Sequence, residues 1–289
     1  MSTAVVIVAG GNGTRLGSSF PKAFVSLRNK TLLAHCLDTL SQWETPHSLV
    51  VVVPAGWGEP ARALVAEYSA VSRVVTGGET RTQSVRSGLA ALSEGTTTVL
   101  IHDAARTLTP LDVFERVLGA LDAGAVAVIP HVPVVDTLVR VDQSTGNTTG
   151  GIDRDELGGV QTPQGFDATL LVAAYGLVDG DFSDDAGVMR HAGHDVRGVA
   201  GDTRGFKITY PEDLARATAL LGGANPRVGV AMDVHHYDAK APLHLAGLLW
   251  PGQPGLSGHS DGAVVIHAIV DALLQATGLG DLGEHFGVN

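Results

Sequence analysis

Cations and a carboxylate placed beside glycine-rich turns are the residues of this chain best suited to chemistry on phosphates. Gly10-Gly11-Asn12-Gly13-Thr14-Arg15-Leu16-Gly17 carries four glycines in eight residues, and Lys22 follows closely. Glycine lets the backbone approach a ligand and adopt positive φ. Successive N–H groups in such a turn form an anion nest, and Arg15 and Lys22 add cations that can bear on the same anion. The plainer alternative is a flexible turn with two surface cations; its position directly after a first strand favours phosphate. A Walker loop is excluded because no Gly-Lys-Ser/Thr follows, and the dinucleotide fingerprint fails at Leu16, where its third glycine belongs. His102-Asp103-Ala104-Ala105-Arg106 places a carboxylate after the apolar run 99–101. Such a carboxylate suits Mg2+, which takes one or two carboxylates plus phosphate oxygens, although an exposed Asp–Arg pair reads the same way. Near the C-terminus Asp233, His235 and His267 could supply three Zn2+ ligands and leave a fourth position open.

These residues need a frame. Residues 5–9 read as a short buried strand, and Thr31 can cap a helix with apolar residues at Leu32, Leu33, Cys36, Leu37 and Leu40. Residues 49–53 form a continuous apolar run ended by Pro54, the pattern of a strand buried on both faces. A helix over 61–68, a short strand at Val74 and Val75, and strands at 99–101 and 125–130 follow. Thr80 or Thr82 can cap the helix after Gly77-Gly78. Strands alternating with helices predict an α/β fold with a mainly parallel sheet and helices on both faces, its ligands at the carboxyl ends of the strands. Residues 134–141 alternate and meet the turn signal Ser144-Thr145-Gly146-Asn147, a projecting hairpin. Phe182-Ser183-Asp184-Asp185 reads as a capped helix start, and Pro211 opens a later helix. Gly222-Gly223-Ala224-Asn225-Pro226 breaks the composition, dividing the chain into domains 1–222 and 227–289 with a linker at 223–226.

The 289 residues are long enough for more than one domain, and 44% hydrophobic with 17% charged residues is an ordinary globular mixture. A net charge of −11 argues against general nucleic-acid binding. Cys36 is the single cysteine, so no intrachain disulfide forms, and its apolar setting suits an inert buried thiol. The N-terminal apolar run is too short for a signal peptide or a membrane span, which predicts a cytoplasmic enzyme with no membrane partner.

The run A-G-G-x-G-x-R-L-G followed by F-P-K resembles the nucleotidyltransferases that activate sugar or polyol phosphates, and residues 1–222 resemble their 2-C-methyl-D-erythritol 4-phosphate cytidylyltransferase branch. The resemblance implies a Rossmann-like nucleotidyltransferase fold with a β-arm, a homodimer, Mg2+, and CTP and methylerythritol phosphate as substrates for isoprenoid precursor synthesis. It implies that Ala9, Gly10, Gly11 and Gly13 wrap the triphosphate, with Arg15 and Lys22 neutralising it. Gly78, Arg81 and Ser84 in G-G-x-x-R-x-x-S-V match the cytosine-reading segment, and Asp103 then serves nucleotide and metal. Arg106, Thr137, Arg154 and Thr162 match acceptor positions, Arg154 reaching into the partner subunit, and Lys207 matches a residue stabilising charge on the reacting phosphate. Thr107 stands where proline is usual. Residues 227–289 resemble the start of 2-C-methyl-D-erythritol 2,4-cyclodiphosphate synthase, with Val230-Ala231 in place of His-Gly and Ala263 in place of an acidic residue. That part is expected to be an incomplete, inactive α/β fragment with a vestigial zinc set. A ribitol-phosphate cytidylyltransferase or a CTP-binding pseudoenzyme are the rival readings.

Overall fold

The computed structural model describes residues 2–45, 47–222, 227–257 and 264–287. The expected linker 223–226 and the stretch 258–263 lie outside them. The chain forms two units, Met1–Leu221 and Gly222–Asn289.

In chain order the first unit runs β1 (Thr3–Val8), β2 (Ser26–Leu27), β3 (Lys30–Thr31), α1 (Leu32–Ser41), β4 (His47–Val53), α2 (Gly58–Val65) and β5 (Val71–Thr76). It continues with α3 (Arg81–Leu89), β6 (Thr98–Asp103), α4 (Leu111–Asp122), β7 (Ala127–Pro133), β8 (Leu138–Val141) and β9 (Thr148–Ile152). β10 (Gly158–Val160), β11 (Gln164–Asp167), α5 (Ala168–Leu177), α6 (Asp185–His191), β12 (Arg197–Ala200) and α7 (Pro211–Leu220) complete it. The sheet order is β10-β7-β11-β6-β1-β4-β5, with β12 also on β7. β1 pairs parallel with β4 and β6, and β4 parallel with β5. β11 inserts antiparallel between β6 and β7. The fold is therefore the expected α/β arrangement with a mainly parallel sheet.

Alternation along the strands builds two cores. Val5, Ile7, Leu49, Val51, Val53 and Leu100 face α1, α2 and α4. Val6, Val50, Val52, Val99 and Ile101 face α3, α5 and α6. Residues that are apolar on both faces explain the continuous runs in the sequence. The chain order crosses the sheet in one direction through β4 and β5, then returns through α3 to β6 on the other side of β1. The β1/β6 boundary is thus a switch point, where a crevice opens at the carboxyl ends.

Helix starts follow side-chain chemistry. Thr31 Oγ1 accepts from Ala34 N (3.1 Å) at α1, and Thr80 Oγ1 from Gln83 N (3.2 Å) at α3. The helix expected over 61–68 instead runs Gly58–Val65, because Pro60 is tolerated in a first turn and does not delay the start. Of the alternating stretch 134–141, only Leu138–Val141 pairs, with β9, around a turn in which Asp142 Oδ1 accepts from Ser144 N (2.8 Å).

In the second unit β13 (His236–Leu245) and β14 (Leu248–Ser257) form an antiparallel hairpin, accompanied by α8 (Val264–Thr277) and α9 (Leu282–Phe286). Asp233 and His235 precede β13 and lie on no described strand. No described strand takes the hydrogen bonds of 228–235, and that stretch lies against α8, where Gly229 approaches the backbone of Ala272. No described helix is long and apolar enough to cross a membrane.

Candidate active site

The crevice at the switch point is a cavity of about 440 Å³. Its walls are the loop after β1 (Ala9, Gly10, Gly11, Arg15, Lys22), the start of α3 (Gly78, Arg81, Ser84), the end of β6 (Asp103) and Lys207. Val8 and Asp103 are register partners, so the glycine loop and the carboxylate leave the sheet side by side. Gly13 turns the loop with φ +71°, and a Cβ there would stand 2.5 Å from the Phe20 carbonyl oxygen, so only glycine fits. The loop closes where Lys22 N donates to Gly11 O (2.8 Å). Gly13 shapes this wall without lining it.

Four cations and one carboxylate dominate the electrostatics. Lys22 is 8% exposed, and its pKa falls to about 8, first because burial removes its hydration, then because Lys207 and Arg15 repel its charge. Lys207 Nζ donates to Asp103 Oδ2 (2.7 Å), and Arg81 Nε lies 3.5 Å from Asp103 Oδ1. Burial alone would raise the Asp103 pKa, but Arg81 and Lys207 outweigh it and hold the carboxyl well below the usual range. Arg15 stands 5.8 Å over the Tyr210 ring. Ser84 is 2% exposed and donates through Oγ to Gly78 O (3.4 Å). Asp103, ionised at the cavity wall, fits a divalent cation that arrives with phosphate oxygens.

Arg81 departs from a simple nucleotide contact. Its fork is engaged by Asp185, with Nη1–Oδ1 3.0 Å and Nη2–Oδ2 2.6 Å, which leaves one edge toward the cavity. Asp185 itself was expected only as part of a capped helix start. Asp184 does cap α6, its Oδ1 accepting from Gly187 N (2.9 Å), but Asp185 turns inward and is fully buried. The signal that could have found it is a second carboxylate directly after a capping one.

The expected acceptor residues do not gather in the cavity. Thr162 was expected to meet a phosphate; it is 4% exposed, and its Oγ1 accepts from Asp103 N (3.1 Å) and lies 3.1 Å from His102 Nδ1. Burial keeps His102 neutral, with its pKa down at about 4. Arg106 was expected on the acceptor phosphate, yet its Nη groups donate to Gly205 O (2.8 Å) and Val160 O (3.0 Å), because a buried guanidinium takes the nearest carbonyls. Thr137 is exposed beside the β8–β9 arm, and Arg154 Nη1 donates to Val135 O (2.5 Å). Thr107, in the proline position, donates through Oγ1 to Leu32 O (2.6 Å). Cys36 is buried and its thiol is pushed up to about 12.

In the second unit Asp233 Oδ1 lies 3.1 Å from His235 Nδ1, and Oδ2 lies 4.0 Å from His267 Nδ1. The three expected zinc residues thus approach one another, but no group of three His, Cys, Asp or Glu among the described residues is arranged to hold a metal ion.

Comparison with known proteins agrees with this geometry. The family model for 2-C-methyl-D-erythritol 4-phosphate cytidylyltransferase matches residues 3–223, and the YgbB family model matches 226–289. A bifunctional enzyme IspD/IspF of Clavibacter michiganensis subsp. michiganensis is 46% identical over 297 residues, covering 99% of this chain and 72% of the relative. The bifunctional IspDF of Campylobacter jejuni superposes with a TM-score of 0.63 at 27% identity, over 100% of this chain and 76% of that one. The 2-C-methyl-D-erythritol 4-phosphate cytidylyltransferase of Thermus thermophilus gives 0.63 at 32% identity, over 76% of this chain and 98% of its own. A crevice built at the β1/β6 switch point, a family model spanning most of the chain and a relative matched along nearly all of it lead to one conclusion: the chain belongs to the 2-C-methyl-D-erythritol 4-phosphate cytidylyltransferase family, joined here to a YgbB-family segment.

Proposed function

We propose that the chain transfers CMP from CTP to 2-C-methyl-D-erythritol 4-phosphate, releasing pyrophosphate. The observation that carries this is the ring of Arg15, Lys22, Lys207 and Arg81 around Asp103 in one crevice. An oxygen of the acceptor phosphate forms a bond to the α-phosphorus of CTP. The bond from that phosphorus to the bridging oxygen breaks in line, and pyrophosphate leaves with the electron pair. The protein's part is positioning and charge stabilisation. Backbone N–H groups of Gly10 and Gly11 receive the triphosphate, Arg15 and Lys22 neutralise it, and Lys207 faces the reacting phosphate from the Asp103 side. Ser84 and Gly78 stand where a base would be read by its donor and acceptor pattern. Mg2+ held by Asp103 and phosphate oxygens would neutralise further charge.

Arg106, Thr137, Arg154 and Thr162 are proposed for the acceptor side in a homodimer, where a partner's arm would complete the site. The fused YgbB-family segment supports methylerythritol phosphate rather than ribitol phosphate as acceptor. For residues 227–289 we propose no cyclising activity, on the strength of Val230-Ala231 and Ala263. The deciding experiment is pyrophosphate release with CTP, UTP and ATP crossed against methylerythritol and ribitol phosphates. Turnover confined to CTP with methylerythritol phosphate is expected. Equal kcat/KM for CTP and UTP, or a preference for ribitol phosphate, overturns the assignment.

A further inference from the structure

Behind the crevice wall lies a buried polar chain that charge neutralisation at the phosphates does not require. Asp185, at the start of α6, is fully buried. Its Oδ1 accepts from Arg81 Nη1 (3.0 Å) and from Tyr175 Oη (2.6 Å), and its Oδ2 accepts from Arg81 Nη2 (2.6 Å). The fork of Arg81 is thereby spent on Asp185, while Nε remains 3.5 Å from Asp103 Oδ1. The start of α6 has two other anchors. Asp184 caps that helix, and Gln164 Oε1 accepts from Ala186 N (3.1 Å). A buried carboxylate costs several kcal/mol of desolvation unless it is paired and hydrogen-bonded, so three hydrogen bonds on one Asp mark a specific arrangement.

We propose that Asp185, steadied by the Tyr175 hydroxyl, is a positioning residue of the nucleotide site that acts through Arg81: it engages the guanidinium fork so that only the Nε edge meets Asp103. Guanidinium forks pair bidentately with whichever carboxylate they can reach. Arg81 has two within reach. Without Asp185 the fork closes on Asp103, masks the carboxylate that faces the ligand, and withdraws Arg81 from the cavity wall. The proposal rests on the reading of the cavity as a CTP site, and the test separates the two.

The test uses the full chain with Asp185→Asn, Tyr175→Phe, Arg81→Met and the Asp185→Asn/Arg81→Met double variant. CTP binding is measured by calorimetry without turnover. Asp185→Asn should weaken binding about tenfold in the wild-type background and less than about twofold in the Arg81→Met background, the coupling expected of residues acting as a unit. An equal factor in both backgrounds marks a merely structural role and overturns the proposal, as does unchanged binding by folded Asp185→Asn. If that variant does not fold, Tyr175→Phe decides: it keeps the ring and should weaken binding about threefold, in line with one lost hydrogen bond, and unchanged binding overturns the proposal. A crystal structure of Asp185→Asn or Tyr175→Phe gives the separate readout. Arg81 Nη moved toward Asp103 supports the inference, and an unmoved Arg81 overturns it. Failure of the wild-type chain to bind CTP would sink the nucleotide reading alone, because the position of Arg81 still answers the other question.

Discussion

Lys22 carries the sharpest conflict between solvation and use. Its ammonium is held in a nearly closed position beside Lys207 and Arg15, which brings its pKa down from 10.5 to about 8. Between those two values the unfolded chain binds the extra proton, so this group makes stability rise as pH rises through the window, and the cost of holding the charge is complete below pH 8. Lys22→Met should therefore raise the melting temperature at pH 7, with the advantage fading toward pH 10.5. A melting series that shows no such convergence removes burial as the cause. Function runs the other way. In the free protein the cation is lost above pH 8, so kcat/KM should decline there, while kcat holds to higher pH because bound phosphates favour the protonated form. At saturating CTP and magnesium, Lys22→Ala and Arg15→Ala should each lower kcat by roughly 10²–10³, the usual loss for one preorganised charge stabiliser. Near-wild-type turnover in both would take the glycine loop out of the mechanism.

At the scale of elements, α3 decides how closely Arg81 and Ser84 approach the sheet. It packs through Gly88, where a Cβ would stand 2.4 Å from Val6 Cγ1 and 3.0 Å from Val52 Cγ2. Both valines are buried in the core between α3 and the sheet and are stiff about χ1, so neither can yield. Gly88→Ala gains about 1 kcal/mol of helix propensity and loses about 1–3 kcal/mol to overpacking, so net destabilisation is expected. The same displacement carries Ser84 and Arg81 away from Gly10, and KM for CTP should rise in step with the fall in melting temperature. A variant that melts higher than wild type would show that α3 can shift without loss.

At the scale of the whole molecule, the acceptor half of the site is tested with two copies of the chain. Thr137 and Arg154 stand outside the cavity of their own chain, beside an exposed arm. If the arm reaches into a second copy, mixing an Arg154→Ala protein with a Lys22→Ala protein should restore part of the activity, because one site of each mixed dimer regains both residues. No recovery after verified subunit exchange would place Arg154 in its own subunit's work or in none. Among the described residues the buried apolar clusters draw on residues up to Leu221, and the cavity is lined by residues of the first unit.

What depends on local pattern could be read along the chain. Continuous apolar runs marked β1, β4 and β6, the Gly10–Gly17 spacing marked a turn with positive φ at Gly13 and Gly17, and Thr31 and Pro211 marked helix starts, since strand burial, positive φ and capping are properties of a few neighbouring residues. Which polar groups meet was settled by packing. Thr162 meets His102 and Arg106 holds backbone carbonyls, partners that no local pattern announces. Asp185 looked like one acid among several at a helix start, and only the stacking of α5 and α6 against α3 brought it to Arg81, 104 residues away in the chain. Such pairings rest on long-range packing and desolvation, and neither leaves a periodicity in the sequence for a reader to find.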